Sequence, residues 1–237
     1  PTPRHPEFRI GMVLPWASGP PSSGEPLPPW LPHFIQTAAH SALLVDWLIF
    51  HEGALNDAVR LEASPTNVKV IDLKPGGLAS LFGRTMSAEM RYPAANATAI
   101  INRMRYMFQK WPRLVAEYKP AFGAIFREYL SNYTHWGYCD FDMVRNTPTA
   151  AASHPATTHT PPTLPQVLGQ LPRFIERDEL LNYHIVTYSF GDMEAVYLRG
   201  QWTFHQNTPT VNGVWKGCKH LGAGLQYELF QKVAWAR

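Results

Sequence analysis

Four short apolar runs, set between turn-forming and helical stretches, restrict the possible fold more than any other feature of the chain. Residues 8–14 (FRIGMVL), 45–50 (VDWLIF), 68–71 (VKVI) and 135–141 (HWGYCDF) read as buried strands. A helical pattern, residues 33–41, lies between the first two. A longer helical region precedes the fourth, punctuated by Pro112 and Pro120, each acceptable where a helix begins. Beyond Pro120, the positions Phe122, Ile125, Phe126, Tyr129 and Leu130 fall on one helical face. Strands alternating with helices predict βαβ units, hence an α/β domain with a mainly parallel sheet flanked by helices.

The intervals are turn-rich. Residues 15–32 are dense in Pro, Gly and Ser and read as a loop, and Lys74-Pro75-Gly76-Gly77 closes the third strand. Residues 146–170 differ in kind, because they are rich in Thr, Pro and Ala and hold no aromatic residue. They cannot bury a core face, so a disordered insertion is predicted within one domain spanning residues 1–237. Regular structure resumes at 171–181, with strands at 184–188 and 196–204 and helices at 209–218 and 224–235.

Composition narrows the partners. Apolar residues form 45% of the chain, enough for a real core, and the net charge is only +3. Lys and Arg are scattered (Arg103, Arg105, Lys110, Arg113, Lys119), which argues against nucleic acid but leaves room for a basic cleft. No run spans a membrane: the most apolar, residues 41–50, is short and carries Asp46. Cys139 and Cys218 make no disulfide framework. Asn96-Ala97-Thr98 and Asn132-Tyr133-Thr134 fit the N-glycosylation acceptor pattern. The chain opens on Pro1, so the expected location is the secretory pathway or Golgi lumen if an upstream anchor was removed, and the cytoplasm otherwise.

The chemistry concentrates at the end of the fourth run, in Asp140-Phe141-Asp142. Residues two apart on a strand share a face, so both carboxylates can converge on one ion. Ligands of open parallel sheets collect beyond the carboxyl ends of strands, where this pair falls. Two hard carboxylates suit Mn²⁺ or Mg²⁺, with phosphate oxygens and water completing the shell. Such an ion would neutralise charge growing on a departing nucleoside diphosphate. The competing reading is two solvated turn carboxylates, though charge closing so apolar a strand calls for a partner.

Residues 116–123 (AEYKPAFG) followed by 135–142 (HWGYCDFD) resemble a family of GT-A-type glycosyltransferase-like proteins associated with polysaccharide biosynthesis, many of them domains of unknown function. Residues 8–14 with Leu27-Pro28-Pro29-Trp30, residues 47–52, and residues 197–203 with Asn207 resemble further blocks of that family. The resemblance covers most of the chain outside residues 146–170 and implies a GT-A-like (Rossmann-like) fold. It implies that Asp140 and Asp142 hold the metal and the sugar nucleotide, a UDP-sugar being the expected donor and a glycan the acceptor. Pro15, Trp16, His51 and Glu52 would flank the nucleoside, Lys119 would approach the diphosphate or ribose, and Arg199 and Gln201 would face the donor sugar or acceptor. A solvated helix lysine and a surface arginine are the plainer readings of Lys119 and Arg199. His135, His205 and His220 are candidates for a further metal ligand, against a purely structural role. Two departures from the family stand out: the 146–170 stretch, and a C-terminal part that is shorter than a complete GT-A enzyme. They keep a second expectation in play, a catalytically inactive GT-A-like module that binds glycan or a protein partner. A nucleotidyltransferase is the third; it expects a basic Gly-rich loop after the first strand, and residues 15–32 contain no Lys or Arg.

Overall fold

The computed structural model describes residues 8–17, 31–52, 64–139, 177–187 and 202–217. They form a mixed α/β domain around one six-stranded sheet. The strands are β1 (Ile10–Trp16), β2 (Val45–His51), β3 (Val68–Asp72), β4 (His135–Cys139), β5 (Ile185–Thr187) and β6 (Trp202–Gln206), in the order β3-β2-β1-β4-β6-β5. The pairs β3–β2, β2–β1 and β1–β4 are parallel, whereas β6 runs antiparallel to both β4 and β5. The expected α/β class therefore forms, with five strands running one way and β6 alone reversed between β4 and β5.

Alternation along the strands divides the core into two faces. Val13, Leu48, Phe50, Trp136 and Tyr138 point to one side. There they meet α2 (Gly77–Glu89), α3 (Ala94–Lys110), α4 (Phe122–Ile125), α5 (Arg127–Leu130) and the 3₁₀ segment Pro112–Ala121. Phe82 of α2 centres this layer, with Phe108, Tyr118, Phe122 and Phe126 set edge-on around it at 5.2–6.1 Å. Edge-to-face packing at these distances adds to the burial energy of each ring. On the other side Ile10, Met12, Leu14, Trp47, Ile49 and Phe204 pack against α1 (Leu31–Ala38) and α6 (Arg177–Asn182). Gly137 sits between these layers of side chains for a steric reason. A Cβ there would lie 2.7 Å from Met12 Sδ and 2.7 Å from the Thr203 carbonyl of β6.

Some boundaries differ from the sequence reading. Pro15 and Trp16 belong to β1, and Leu31 and Pro32 open α1, so the loop assigned to residues 15–32 is shorter at both ends. Pro120 does not begin a helix; it lies inside the 3₁₀ segment, whose bonds need fewer consecutive amides, and α4 starts at Phe122. Of the strand expected at residues 196–204, the part from 202 is described and runs on to Gln206, residues 196–201 lying outside the described residues, and α7 (Pro209–Asn212) plus a 3₁₀ turn (Val214–Gly217) replace one helix. The 146–170 insertion and the helix expected at 224–235 lie outside the described residues.

The amino edge of the sheet is tied by charge. Asp46, near the start of β2, accepts from Arg9, from Lys69 Nζ at 2.7 Å and from the Tyr133 hydroxyl at 2.7 Å. One carboxylate thus joins the entries of β1, β2, β3 and β4. Burial alone would raise its pKa, but the hydrogen bonds from Arg9, Lys69 and Tyr133 outweigh that and hold it below the ordinary aspartate value.

Candidate functional site

Four parallel strands end on one edge of the sheet, and the chain order sets a crevice there. From β1 the chain builds outward to β2 and β3, then crosses back to place β4 on the other side of β1. The strand order reverses between β1 and β4, which is the topological switch point where open α/β sheets hold ligands. Because β6 is reversed, it begins at this same edge, with Trp202 opposite Cys139.

Pro15 withholds one ladder bond from β4 at this edge. Ile10 donates its amide to Leu44, on the β2 side. In a parallel strand alternate residues serve opposite neighbours, so residues 10, 12, 14 and 16 bond toward β2 and residues 11, 13 and 15 toward β4. Residue 15 is the next position due to donate to β4, and proline has no N–H. Accordingly β1 pairs with β2 as far as Trp16 and His51, but with β4 only as far as Val13 and Tyr138. The described β1–β4 pairing thus ends one residue short of Cys139, the last described residue before the acidic pair of the sequence.

The structure brings several expected residues to this edge. Pro15 and Trp16 end β1, and His51 and Glu52 end β2, with Trp16 beside His51 in register. Lys119 is buried, only 8% exposed, and its ammonium lies 5.5 Å from the centre of the Tyr138 ring in β4. Lys119 is therefore not a solvated lysine: its ammonium lies beside Tyr138, two residues before Asp140.

Glu52 has a structural task. Its Oε1 accepts the Leu78 amide at 2.7 Å, in the first turn of α2, where amides lack helical partners. Gly76, just ahead of that helix, is left-handed at φ 79°, and the Arg105 guanidinium packs against it, leaving no room for a Cβ. Burial raises the Glu52 pKa above the ordinary value, and the Leu78 and Gly76 amides and the Arg105 charge only partly offset it. Sequence reading missed Arg105 here, because its place depends on how α2 and α3 pair and no local pattern marks it.

Asp140, Asp142, Arg199 and Gln201 lie outside the described residues, as does His220. Chain connectivity alone relates them to the edge: Asp140 follows Cys139, the last residue of β4, and Gln201 precedes Trp202, the first of β6. His135 and His205 are held at the other end. His135 begins β4, four residues before Cys139 and roughly 13 Å along the strand. Its ring nitrogens meet Thr134 Oγ1 and the Leu180 carbonyl. His205 stands opposite Trp136 and stacks on that indole at 4.0 Å, with burial pushing its pKa down to about 3. Neither ring is near the carboxyl edge. Among the described residues no three His, Cys, Asp or Glu side chains gather as a metal site.

The model of a family of unknown function (DUF6625) matches residues 103–146, a segment running from within α3 through Lys119 and β4 to the acidic pair. No curated protein and no solved structure matches the chain.

Proposed function

We propose that the chain is a GT-A-like glycosyltransferase domain, which moves a sugar from a nucleotide donor, a UDP-sugar in our reading, to a hydroxyl of a glycan acceptor. The observation that carries this reading is the topological switch point between β1 and β4, where their described pairing ends and Asp140-Phe141-Asp142 comes next in sequence. Lys119 supports it by position, with its ammonium 5.5 Å from the ring centre of Tyr138, two residues before Asp140. In this proposal Asp140 and Asp142 hold Mn²⁺ or Mg²⁺, which would supply Lewis-acid stabilisation of the diphosphate leaving group. Lys119 would add a fixed positive charge toward the same phosphates. Trp16 offers a partly exposed ring at the end of β1 for the nucleoside, with the buried His51 beside it in register, and Arg199 and Gln201 are assigned to the donor sugar or acceptor. Glu52 would act through α2, whose amino end it holds.

Calorimetric titration with UDP and Mn²⁺ tests the reading. Saturable binding is expected, abolished in Asp142→Ala and by removal of the metal. Binding unchanged in Asp142→Ala would sink it. No heat with UDP, together with binding to an oligosaccharide, would favour the inactive glycan-binding module instead. Among the described residues no helix is long and apolar enough to cross a membrane. Asn96 and Asn132 are both exposed, which supports a secretory-lumen location.

A further inference from the structure

The amino edge of the sheet, opposite the crevice, holds a cavity of about 400 Å³ lined by Arg9, Asp46, Lys69 and Asn132 beside the apolar Leu48 and Ile71. Two cations face one carboxylate there, so the cluster carries a surplus positive charge. Asp46 is spoken for: Oδ1 accepts from Arg9, and Oδ2 accepts from Lys69 and Tyr133. Its side chain is only 6% exposed against 49% for Lys69. The negative charge is therefore inside and the surplus positive charge faces the cavity.

Donors remain for a ligand. Lys69 spends two of its three N–H groups, on Asp46 and Tyr133. Arg9 spends Nη1 on the Ala42 and Leu43 carbonyls and Nη2 on Asp46, which leaves Nε uncommitted among the described residues. Asn132 is exposed, and its amide makes no hydrogen bond among the described residues. A flat, forked group of one negative charge matches both the surplus charge and the guanidinium edge. A dianion would leave negative charge uncompensated beside Asp46. Leu48 and Ile71 supply a wall for an apolar body next to the anionic group.

We propose that this cavity binds the carboxylate of a small amphipathic monoanion, with Lys69 and Arg9 on the carboxylate and Leu48 and Ile71 against its apolar part. The site stands apart from the nucleotide reading. Asp46 and Lys69, at the charged end of the cavity, lie about 17 Å along β2 from His51, and the cavity follows β2 and β3 rather than the β1–β4 switch point, so either site can fail without the other.

Titration of the full chain with benzoate, at pH 7 and constant ionic strength, is the test. Saturable one-site binding in the millimolar range is expected, as suits a ligand of this size (on the order of 1 mM). Lys69→Met should weaken it at least ~10-fold by removing the central cation. Asn132→Asp should weaken it at least ~5-fold, since it puts a negative charge at the mouth without breaking any hydrogen bond described. Benzoate and UDP with Mn²⁺ should not compete. Absence of saturation, equal affinity in Asn132→Asp and wild type, or tighter binding of inorganic phosphate than of benzoate would each overturn the proposal. If Lys69→Met does not fold, Asn132→Asp decides the matter, because that side chain supports no packing contact the fold requires.

Discussion

Replacing Asp46 with Asn should both destabilise the domain and remove part of its response to acid. Asp46 receives three hydrogen bonds, two of them from cations, in a side chain almost closed to water. Bonds to charged groups contribute about 1.5–3 kcal/mol each in favourable cases. That range cannot simply be tripled. Arg9 and Lys69 are 32% and 49% exposed, so water screens both pairs and recovers both cations once they are released. Asn also keeps one acceptor oxygen while turning an amide toward donors. A total of about 2–3 kcal/mol follows, or a fall in Tm of about 4–12 °C for a chain of this length. The sign with pH follows from the lowered pKa: the ionised carboxylate stabilises the fold above the ordinary aspartate value, and that contribution vanishes as pH falls through the depressed one. The gap between wild type and Asp46→Asn should accordingly be full at pH 7 and shrink below about pH 4. Urea unfolding at pH 7 and pH 3.5 measures it. A gap of the same size at both, or a Tm change under 1 °C at pH 7, would refute the argument that the charge is what ties the four strands.

Glu52→Gln should change stability at pH 7 by less than about 1 kcal/mol, because the amide still accepts from Leu78 and no longer suffers burial of charge. Since the native pKa is raised, wild type should gain on Glu52→Gln as pH falls from 7 to 4, read by thermal unfolding; Glu52→Ala should lose about 1 kcal/mol through the uncapped helix start. Gly123→Ala should cost about 2 kcal/mol despite the better helix propensity of Ala. Its Cβ would sit 2.6 Å from the buried Trp136 indole and 2.5 Å from Asn212 Oδ1, breaking the 2.7 Å bond between them, and near-ultraviolet dichroism should report the displaced tryptophan.

The strands were legible because each apolar run is short, those of β1, β2 and β4 being closed on both faces and the edge strand β3 half-open; β1, β2, β3 and β4 fall where the runs fall. Their ends were not, and Pro15 shows why. Proline reads as a loop signal, yet it fits the end of a central strand when the neighbour on its N–H side has already departed. The reversal of β6 was also hidden, since apolar alternation carries no direction. At the site, Asp140-Phe141-Asp142 was visible as a motif and Lys119 as its companion, and the burial of Lys119 adds what the motif could not show. Glu52 looked like a ligand residue because the helix it caps begins 25 residues later. Asp46 read only as a blemish in an apolar run: its partners lie 37, 23 and 87 positions away and become neighbours only in the folded sheet.

The missing amide of Pro15 makes the absent rung between β1 and β4 a covalent property of the chain. Temperature, salt and acidity cannot supply that donor to the end of β4. Substituting any other amino acid would restore an amide at the position, so an added inter-strand bond, rather than collapse, is the change such a replacement introduces.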